Sequence, residues 1–169
     1  RQEFFPLEEI LAEFREYLRG SIPFDVVTVV GEGEPTLYSR LGELIAGLKK
    51  ETDKPVAVIT NGALLYDAEM RRELMEADIV LPSLDAVTEE QYRKIDRPMG
   101  SIGFAEMAEG LRQFAREYQG QLWIEIMLVD GMNDSPEDIA AFKEFLGTID
   151  YDRVYLNTPV RPPAEGFVH

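Results

Sequence analysis

The sequence has 169 residues, a formal net charge of -15, no cysteine and one histidine, which is the last residue. These numbers exclude a disulfide framework and a Cys/His zinc site within the chain. They also argue against nucleic acid as a partner, because phosphate binding relies on lysine and arginine. No apolar run reaches the ~18 residues of a membrane span and no signal-peptide pattern is present, so we expect a cytoplasmic protein with no membrane partner.

Helical and strand patterns alternate along the whole chain. Apolar residues at helical spacing and capping signals predict helices, which cover 6–19, 38–51, 67–76, a segment starting at Thr88, 103–118 and 135–146. Short apolar runs between them predict strands, at 25–30, 56–59, 79–83, 122–129 and 153–156. Five strands separated by helices predict an α/β fold with a parallel sheet and right-handed crossovers.

Each predicted strand is apolar until its C-terminal end, where the sequence becomes polar or rich in glycine. These ends are 31–36, 60–62, Ser83 with Asp85, 130–133 and 157–158. Ligands of parallel α/β sheets bind at the carboxyl edge of the strands, so the five ends would line one rim. Turns and helix caps also need polar residues, and we favour that simpler interpretation for Asp130-Gly131 and Ser135.

The first of these ends, Gly31-Glu32-Gly33-Glu34-Pro35-Thr36-Leu37, leaves two interpretations open. Glycine allows the backbone to approach a ligand closely, and Glu34 could accept a hydrogen bond from an ammonium group. Alternatively, the segment is a tight turn that carries a solvated glutamate. At the third end, alternation places the side chains of Ser83 and Asp85 on one side of the strand, where they suit the diol of a ribose.

Glu125 is a carboxylate within an otherwise apolar strand. It either lines a pocket or faces outward at a sheet edge, and a buried carboxylate would need a partner. Arg97 and Arg161 each precede a proline, which would hold them in place to bind this carboxylate, another carboxylate or a phosphate. We therefore predict Arg97, Glu125 and Arg161 as substrate-binding residues, while surface arginines in ordered loops remain the simpler interpretation.

Four segments, in this order and spacing, resemble the radical SAM superfamily: 31–37, 60–62, 81–86 and 156–162. The resemblance covers nearly the whole chain and is to the iron–sulfur oxidoreductases related to wybutosine-synthesis enzymes. It implies a partial (β/α)6 TIM-like barrel that binds S-adenosylmethionine beside a [4Fe–4S] cluster. In that family, cleavage of the cofactor gives a 5′-deoxyadenosyl radical, which abstracts hydrogen from a substrate, here unknown. It also implies an electron donor such as flavodoxin or ferredoxin.

The resemblance also implies roles for particular residues. Gly33 and Glu34, with the backbone of Glu32, would hold the methionine amino group. Ser83 and Asp85 would bind the ribose and the methionine carboxylate. The other residues implied to bind the cofactor are at strand ends: Thr60 and Asn61 on the same rim, and Met127 and Asn157 near the adenine.

The chain departs from the family pattern in one respect. The family binds its cluster through three cysteines after the first strand, whereas this chain has no cysteine and five of the six strands. The resemblance thus implies a missing first βα unit before Arg1, with 1–158 as the partial barrel and 159–169 as an extended tail. We expect this chain alone to hold no metal and to be inactive in radical formation.

Two other interpretations do not involve a cluster. The first is an α/β barrel of the aldolase-like or phosphate-binding kind, which lacks the expected lysine at a strand end. The second is a binding or scaffold domain without catalytic activity. The presence or absence of Cys-x-x-x-Cys-x-x-Cys upstream of Arg1 would separate the last of these from a radical SAM enzyme.

Overall fold

One parallel sheet forms the centre of the protein, for which a computed structural model describes residues 1–20, 22–31 and 33–159. The predicted site residues Glu32 and Arg161, and residues 160–169 of the predicted tail, lie outside this described part. The strands are β1 (Val27–Val29), β2 (Val56–Thr60), β3 (Ile79–Pro82), β4 (Gln121–Met127) and β5 (Arg153–Asn157).

The strands pair in chain order, β1-β2-β3-β4-β5, and every neighbouring pair is parallel. The predicted α/β fold with five parallel strands is therefore confirmed. The sheet is open, with β1 and β5 at its two edges. All five strands end at the same edge because they are parallel, and this carboxyl edge is called the rim below.

Helices connect the strands, and their positions agree with the sequence patterns to within a few residues. They are α1 (Leu7–Arg19), α2 (Leu41–Glu51), α3 (Ala68–Leu74), α4 (Glu89–Ile95), α5 (Phe104–Glu117) and α6 (Pro136–Leu146). The Thr88 hydroxyl caps α4 by accepting from the Gln91 N–H, and Ser135 and Asp138 form a capping box at α6. A 3-10 helix over Pro35–Leu37, which the sequence patterns did not predict, follows β1.

The two faces of the sheet differ in burial. Along β4, Leu122, Ile124 and Ile126 are buried, whereas Trp123 and Glu125 on the opposite face are only half-buried. The buried face packs against apolar side chains of the helices, chiefly from α2 and α5. The other face, called the open face below, carries Ser83, Trp123, Glu125, Met127, Arg153, Tyr155 and Asn157, as the strand register shows.

Helix α5 approaches the segment after β2 so closely that only glycine fits at the contact. A Cβ added to Gly110 would lie 2.3 Å from the backbone N of Tyr66 and 2.6 Å from the carbonyl carbon of Leu65. Real Cβ atoms do not come so close to backbone, so Gly110 sets the distance between α5 and this segment.

In the described part of the chain, no helix has the length and apolar character needed to cross a membrane.

Candidate functional site

Glu34 lies just after β1 and holds two neighbouring strand ends together. Its Oε1 accepts hydrogen bonds from the N–H and hydroxyl of Thr36, at 3.1 and 2.7 Å, and so caps the 3-10 helix. The same oxygen accepts from the Thr60 hydroxyl at 2.6 Å, and Oε2 accepts from the Asn61 N–H at 2.7 Å. Glu34 is therefore a fixed, half-buried carboxylate, and its interpretation as a solvated glutamate is wrong.

These hydrogen bonds leave Glu34 able to bind a further donor. Oε1 accepts three hydrogen bonds, whereas Oε2 accepts one in the described part of the chain, and a carboxylate oxygen can accept more than one. Thr60 is buried and Asn61 is exposed, so the carboxylate lies between the interior and the surface. The structure brings the predicted residues Glu34, Thr60 and Asn61 together on the rim.

Gly33 is exposed, and no close contact in the described chain requires a glycine at this position. A Cβ added to Gly33 would meet no atom within 4 Å. The backbone at Gly33 is thus bare on the rim next to Glu34, where a ligand could approach it directly.

Ser83 and Asp85 are half-buried on either side of Leu84, which is completely buried. Ser83 continues β3 through an isolated bridge with Glu125, and the Leu84 N–H donates to the Glu125 carbonyl at 2.8 Å. Beyond this point a side chain takes over from the backbone hydrogen bonds between the strands, because Oδ1 of Asp85 accepts from the Met127 N–H at 2.7 Å. Ser83, Asp85 and Met127 therefore form a second group on the rim, with Glu125 two residues before Met127 in β4.

Asn133 ties this second group together from the interior. It is fully buried, and its Nδ2 donates to the carbonyls of Asp85 and Met127, at 2.8 and 2.9 Å. Its Oδ1 accepts from the Val129 N–H at 2.7 Å. The sequence placed Asn133 at a polar strand end. Nothing in the pattern indicated that its side chain would link Asp85 and Met127 rather than serve in an ordinary turn.

Asp96, at the C-terminal end of α4, is an acid that the sequence patterns did not select. Its Oδ2 and the hydroxyl of Tyr92 are buried and have no hydrogen-bond partner in the described structure. Burial raises the pKa of Asp96 to about 7, and the charge of Asp85 contributes. The four-residue spacing of Tyr92 and Asp96 on one helix was the available signal, but spacing alone does not reveal burial.

Burial also raises the pKa of Asp85 to about 6. The Met127 N–H, which donates to the carboxylate, opposes this rise, and the negative charge of Glu125 adds to it. None of Glu34, Asp85, Asp96 and Glu125 forms an ion pair with a lysine or arginine of the described chain. The rim and the open face beside it therefore favour a cationic ligand.

Glu125 is not at a sheet edge, since β4 lies between β3 and β5. Its side chain is on the open face, and its Oε1 accepts a hydrogen bond from Nδ2 of Asn157 at 2.7 Å. Arg97 is exposed after α4 at a φ of 50°, and its Nε donates to the Lys94 carbonyl. The partner that the structure gives Glu125 is thus an amide, where the sequence patterns suggested an arginine.

The residues present do not fit an iron–sulfur cluster. The chain has no cysteine, and residues 1–20, 22–31 and 33–159 contain no group of three His, Cys, Asp or Glu residues placed to hold a metal ion. The groups that the site does offer to a ligand are hydroxyls, carboxylates and backbone N–H and C=O groups. These suit an organic ligand with amine and hydroxyl groups.

Similar proteins are known among curated sequences and solved structures. The chain is 36% identical over 162 residues to a UPF0026 protein of Synechocystis sp., covering 96% of this chain and 60% of that protein. It is 42% identical over 158 residues to a Brachyspira hyodysenteriae protein named GTPase Obg, covering 94% of this chain and 23% of that one. The chain thus spans less than two thirds of either relative, and its sequence lacks the Gly-x-x-x-x-Gly-Lys phosphate loop of GTPases.

A solved structure shares the fold, and a family model identifies the superfamily. A crystal structure of a radical SAM methyltransferase from Sphaerobacter thermophilus matches 96% of this chain and 48% of that one, with a TM-score of 0.68 and 17% identity. That likeness concerns the fold alone. A model described as the Radical SAM superfamily matches residues 1–143. The link to wybutosine-related enzymes stays a prediction, but the chain belongs to the radical SAM superfamily.

Proposed function

We propose that this chain binds S-adenosylmethionine at the rim and forms the cofactor-binding core of a radical SAM enzyme. The observation that carries the proposal is the fixed Glu34 carboxylate beside the bare backbone of Gly33. S-adenosylmethionine has an ammonium and a sulfonium group, both cationic. A rim whose carboxylates lack lysine and arginine partners in the described chain complements such a ligand.

The ammonium group would donate to Oε2 of Glu34 and lie against the Gly33 backbone. At the other end of the site, Ser83 and Asp85 would bind ribose hydroxyls, since Oδ2 of Asp85 accepts no hydrogen bond in the described structure. Met127 and Asn157 face each other across β4 and β5, where the adenine would approach them. Thr60 and Asn61 would then act indirectly, by holding Glu34 in place.

The radical chemistry requires more than these residues. In this family, a [4Fe–4S] cluster supplies the electron that cleaves the cofactor, and the 169 residues contain no cysteine to hold one. We therefore propose that the chain binds and orients the cofactor but does not by itself produce a radical. Hydrogen abstraction from a substrate, with an electron donor such as flavodoxin or ferredoxin, is our proposal for the enzyme as a whole.

The Gly33→Ala variant provides the sharpest test. An added methyl group would meet no atom of the described chain within 4 Å, so packing gives no reason for the stability of the protein to fall. It would, however, stand between the ligand and the backbone. We expect Gly33→Ala to weaken S-adenosylmethionine binding at least tenfold in isothermal titration calorimetry, with an unchanged unfolding midpoint in urea.

Gly100→Ala is the matched control, because a Cβ at Gly100 also meets nothing within 4 Å. The position lies in the loop between α4 and α5 rather than at a strand end, and this variant should bind like the original chain. Glu34→Gln should weaken binding about tenfold, since hydrogen bonds to a charged group are the stronger ones. The proposal fails if the original chain does not bind S-adenosylmethionine or if Gly33→Ala binds it equally well.

A further inference from the structure

The open face has a second polar centre at Glu125, below the rim, and the amide of Asn157 at the rim donates a hydrogen bond down to it. Glu125 precedes Met127 by two residues in β4. Two residues of an extended strand span roughly 7 Å, which is the depth of Glu125 below the rim. This separation leaves space for a second chemical group beneath a ligand held by Met127 and Asp85. The centre is therefore placed for a substrate next to the cofactor.

Glu125 is a half-buried carboxylate without a cationic partner in the described chain. Arg153 is the basic residue that the strands place on this face, but its guanidinium contacts the neighbouring aromatic side chains and forms no ion pair with Glu125. It lies over the Trp123 ring, with its Cζ 4.7 Å from the ring centroid, and its Nη1 donates to the Tyr155 hydroxyl at 3.3 Å. Taking a carboxylate partly out of water without a compensating positive charge is unfavourable, so this site gains from an external cation.

The hydrogen bond between Asn157 and Glu125 determines which groups the pair offers to a ligand. Nδ2 of Asn157 donates to Oε1 of Glu125, which turns one of the amide donors inward. Oδ1 of Asn157 and Oε2 of Glu125 accept no hydrogen bond from the described chain. Both are acceptors, and together they match a group that has several N–H donors and no acceptor.

Two aromatic rings extend this centre along the face. Trp123 lies two residues before Glu125 in β4, and Tyr155 is the register partner of Glu125 in β5. Their ring centroids are 5.7 Å apart. The Trp123 face already holds the Arg153 guanidinium, so the rings border Glu125 and the preference for a further cation comes from the carboxylate.

We propose that Glu125, oriented by the Asn157 amide and bordered by Trp123 and Tyr155, forms a substrate subsite that binds a protonated nitrogen group, an ammonium or guanidinium, of a small molecule. This inference rests on the proposed function for its assignment to a substrate rather than to the cofactor. The complementarity is electrostatic: the chain carries a net charge of -15, and the carboxylate has no cationic partner in the described residues. The cofactor ammonium would instead be bound by Glu34.

Trp123 is the only tryptophan of the chain, so tryptophan emission comes from a side chain next to Glu125. The probes are n-butylguanidinium and n-butylurea, which have nearly the same shape but differ in charge. We expect n-butylguanidinium to change the Trp123 fluorescence in a saturable way and n-butylurea to bind at least tenfold more weakly. The titrations are made with the full 169-residue chain, both alone and with S-adenosylmethionine present.

Glu125→Gln removes the charge but keeps the size and one acceptor, and it should weaken n-butylguanidinium binding about tenfold. The matched control is Glu144→Gln, which makes the same change of net charge at an exposed position on α6 and should bind like the original chain. Equal binding of the two probes, or no effect of Glu125→Gln, overturns the subsite.

Calorimetry with S-adenosylmethionine on the same samples separates this inference from the proposed function. If S-adenosylmethionine binds and Glu125→Gln leaves its affinity unchanged while weakening n-butylguanidinium, the subsite is distinct from the cofactor site, as proposed. If S-adenosylmethionine and n-butylguanidinium compete, Glu125 belongs to the cofactor site and the inference is wrong. If S-adenosylmethionine does not bind at all, the proposed function fails, and the charge preference measured with the two probes still tests the subsite chemistry.

Discussion

Replacing Asp96 by asparagine should stabilise the protein, and more strongly at pH 8 than at pH 5. The Asp96 carboxyl has a pKa of about 7 in the folded chain, against an ordinary value of 3.8. The folded state therefore holds a proton that the unfolded state has released. Stability falls as the pH rises from about 4 to about 7, because the unfolded state binds fewer protons over that range. Asparagine carries no charge at any of these pH values, so the variant does not lose stability in this way as the pH rises.

The magnitude follows from the part of this range that lies between pH 5 and pH 7. Two pH units correspond to about 2.7 kcal/mol for one group. The side chain is only half-buried. Screening by the surrounding solvent reduces the effect to roughly half, or about 1.4 kcal/mol. The stability advantage of Asp96→Asn over the original chain should be larger by this amount at pH 8 than at pH 5.

Urea unfolding followed by circular dichroism at the two pH values measures this difference. Asp53→Asn is the control, since Asp53 is exposed and the variant makes the same change of net charge. Its effect on the free energy of unfolding should be the same at pH 5 and pH 8. An equal advantage of Asp96→Asn at both pH values would refute the reasoning from a partly buried carboxyl whose Oδ2 has no hydrogen-bond partner in the described structure.

Further predictions concern packing and the rim. Gly110→Ala should destabilise the protein by roughly 2 kcal/mol, because forcing an extra methyl group into a packed contact strains the backbone. Gly42→Ala in α2, whose new Cβ would have the Glu73 side chain as its nearest neighbour at 3.1 Å, should show a much smaller loss in urea unfolding. Asn133→Ala leaves a buried N–H and two carbonyls unpaired, which should cost about 3 kcal/mol. It should also lower the pKa of Asp85 from about 6, measured by carboxyl carbon NMR, as the released loop lets water reach the carboxylate. Tyr118→Phe removes one buried hydrogen bond to the Ala77 carbonyl; this loss should cost about 1 kcal/mol and leave the Asp85 titration unchanged. An Asn133→Ala variant with an unaltered Asp85 pKa would show that the hydrogen bonds of Asn133 do not position the Asp85 carboxylate.

The sequence predicted the elements well because their signals are local. Helical spacing of apolar residues and the caps at Thr88 and Ser135 fix where helices begin, whatever the rest of the chain does. The parallel sheet followed from alternation of strands and helices, and the rim followed from the parallel sheet. These steps need no knowledge of side-chain contacts.

The details of the site were not predictable in the same way. The donors to Glu34 in and after β2 are 26 and 27 residues away, so its fixed position arises only from the pairing of β1 with β2. The raised pKa of Asp96 depends on how α4 packs, which helical spacing does not encode. The hydrogen-bond partner of Glu125 is Asn157, a neighbour across the sheet, because strand register brings the two together without any local signal.

The hydrogen bonds of Glu34 have a consequence for the energetics of binding. Because the carboxylate already accepts from Thr36, Thr60 and Asn61, it has lost its conformational freedom before any ligand arrives. A ligand that donates to Glu34 does not have to immobilise a long side chain, which otherwise costs about 0.5–1.5 kcal/mol. The 3-10 helix and the end of β2 thus hold the Glu34 carboxylate in one conformation. The entropy lost on binding at this position then comes from the ligand's own flexibility rather than from that of the Glu34 side chain.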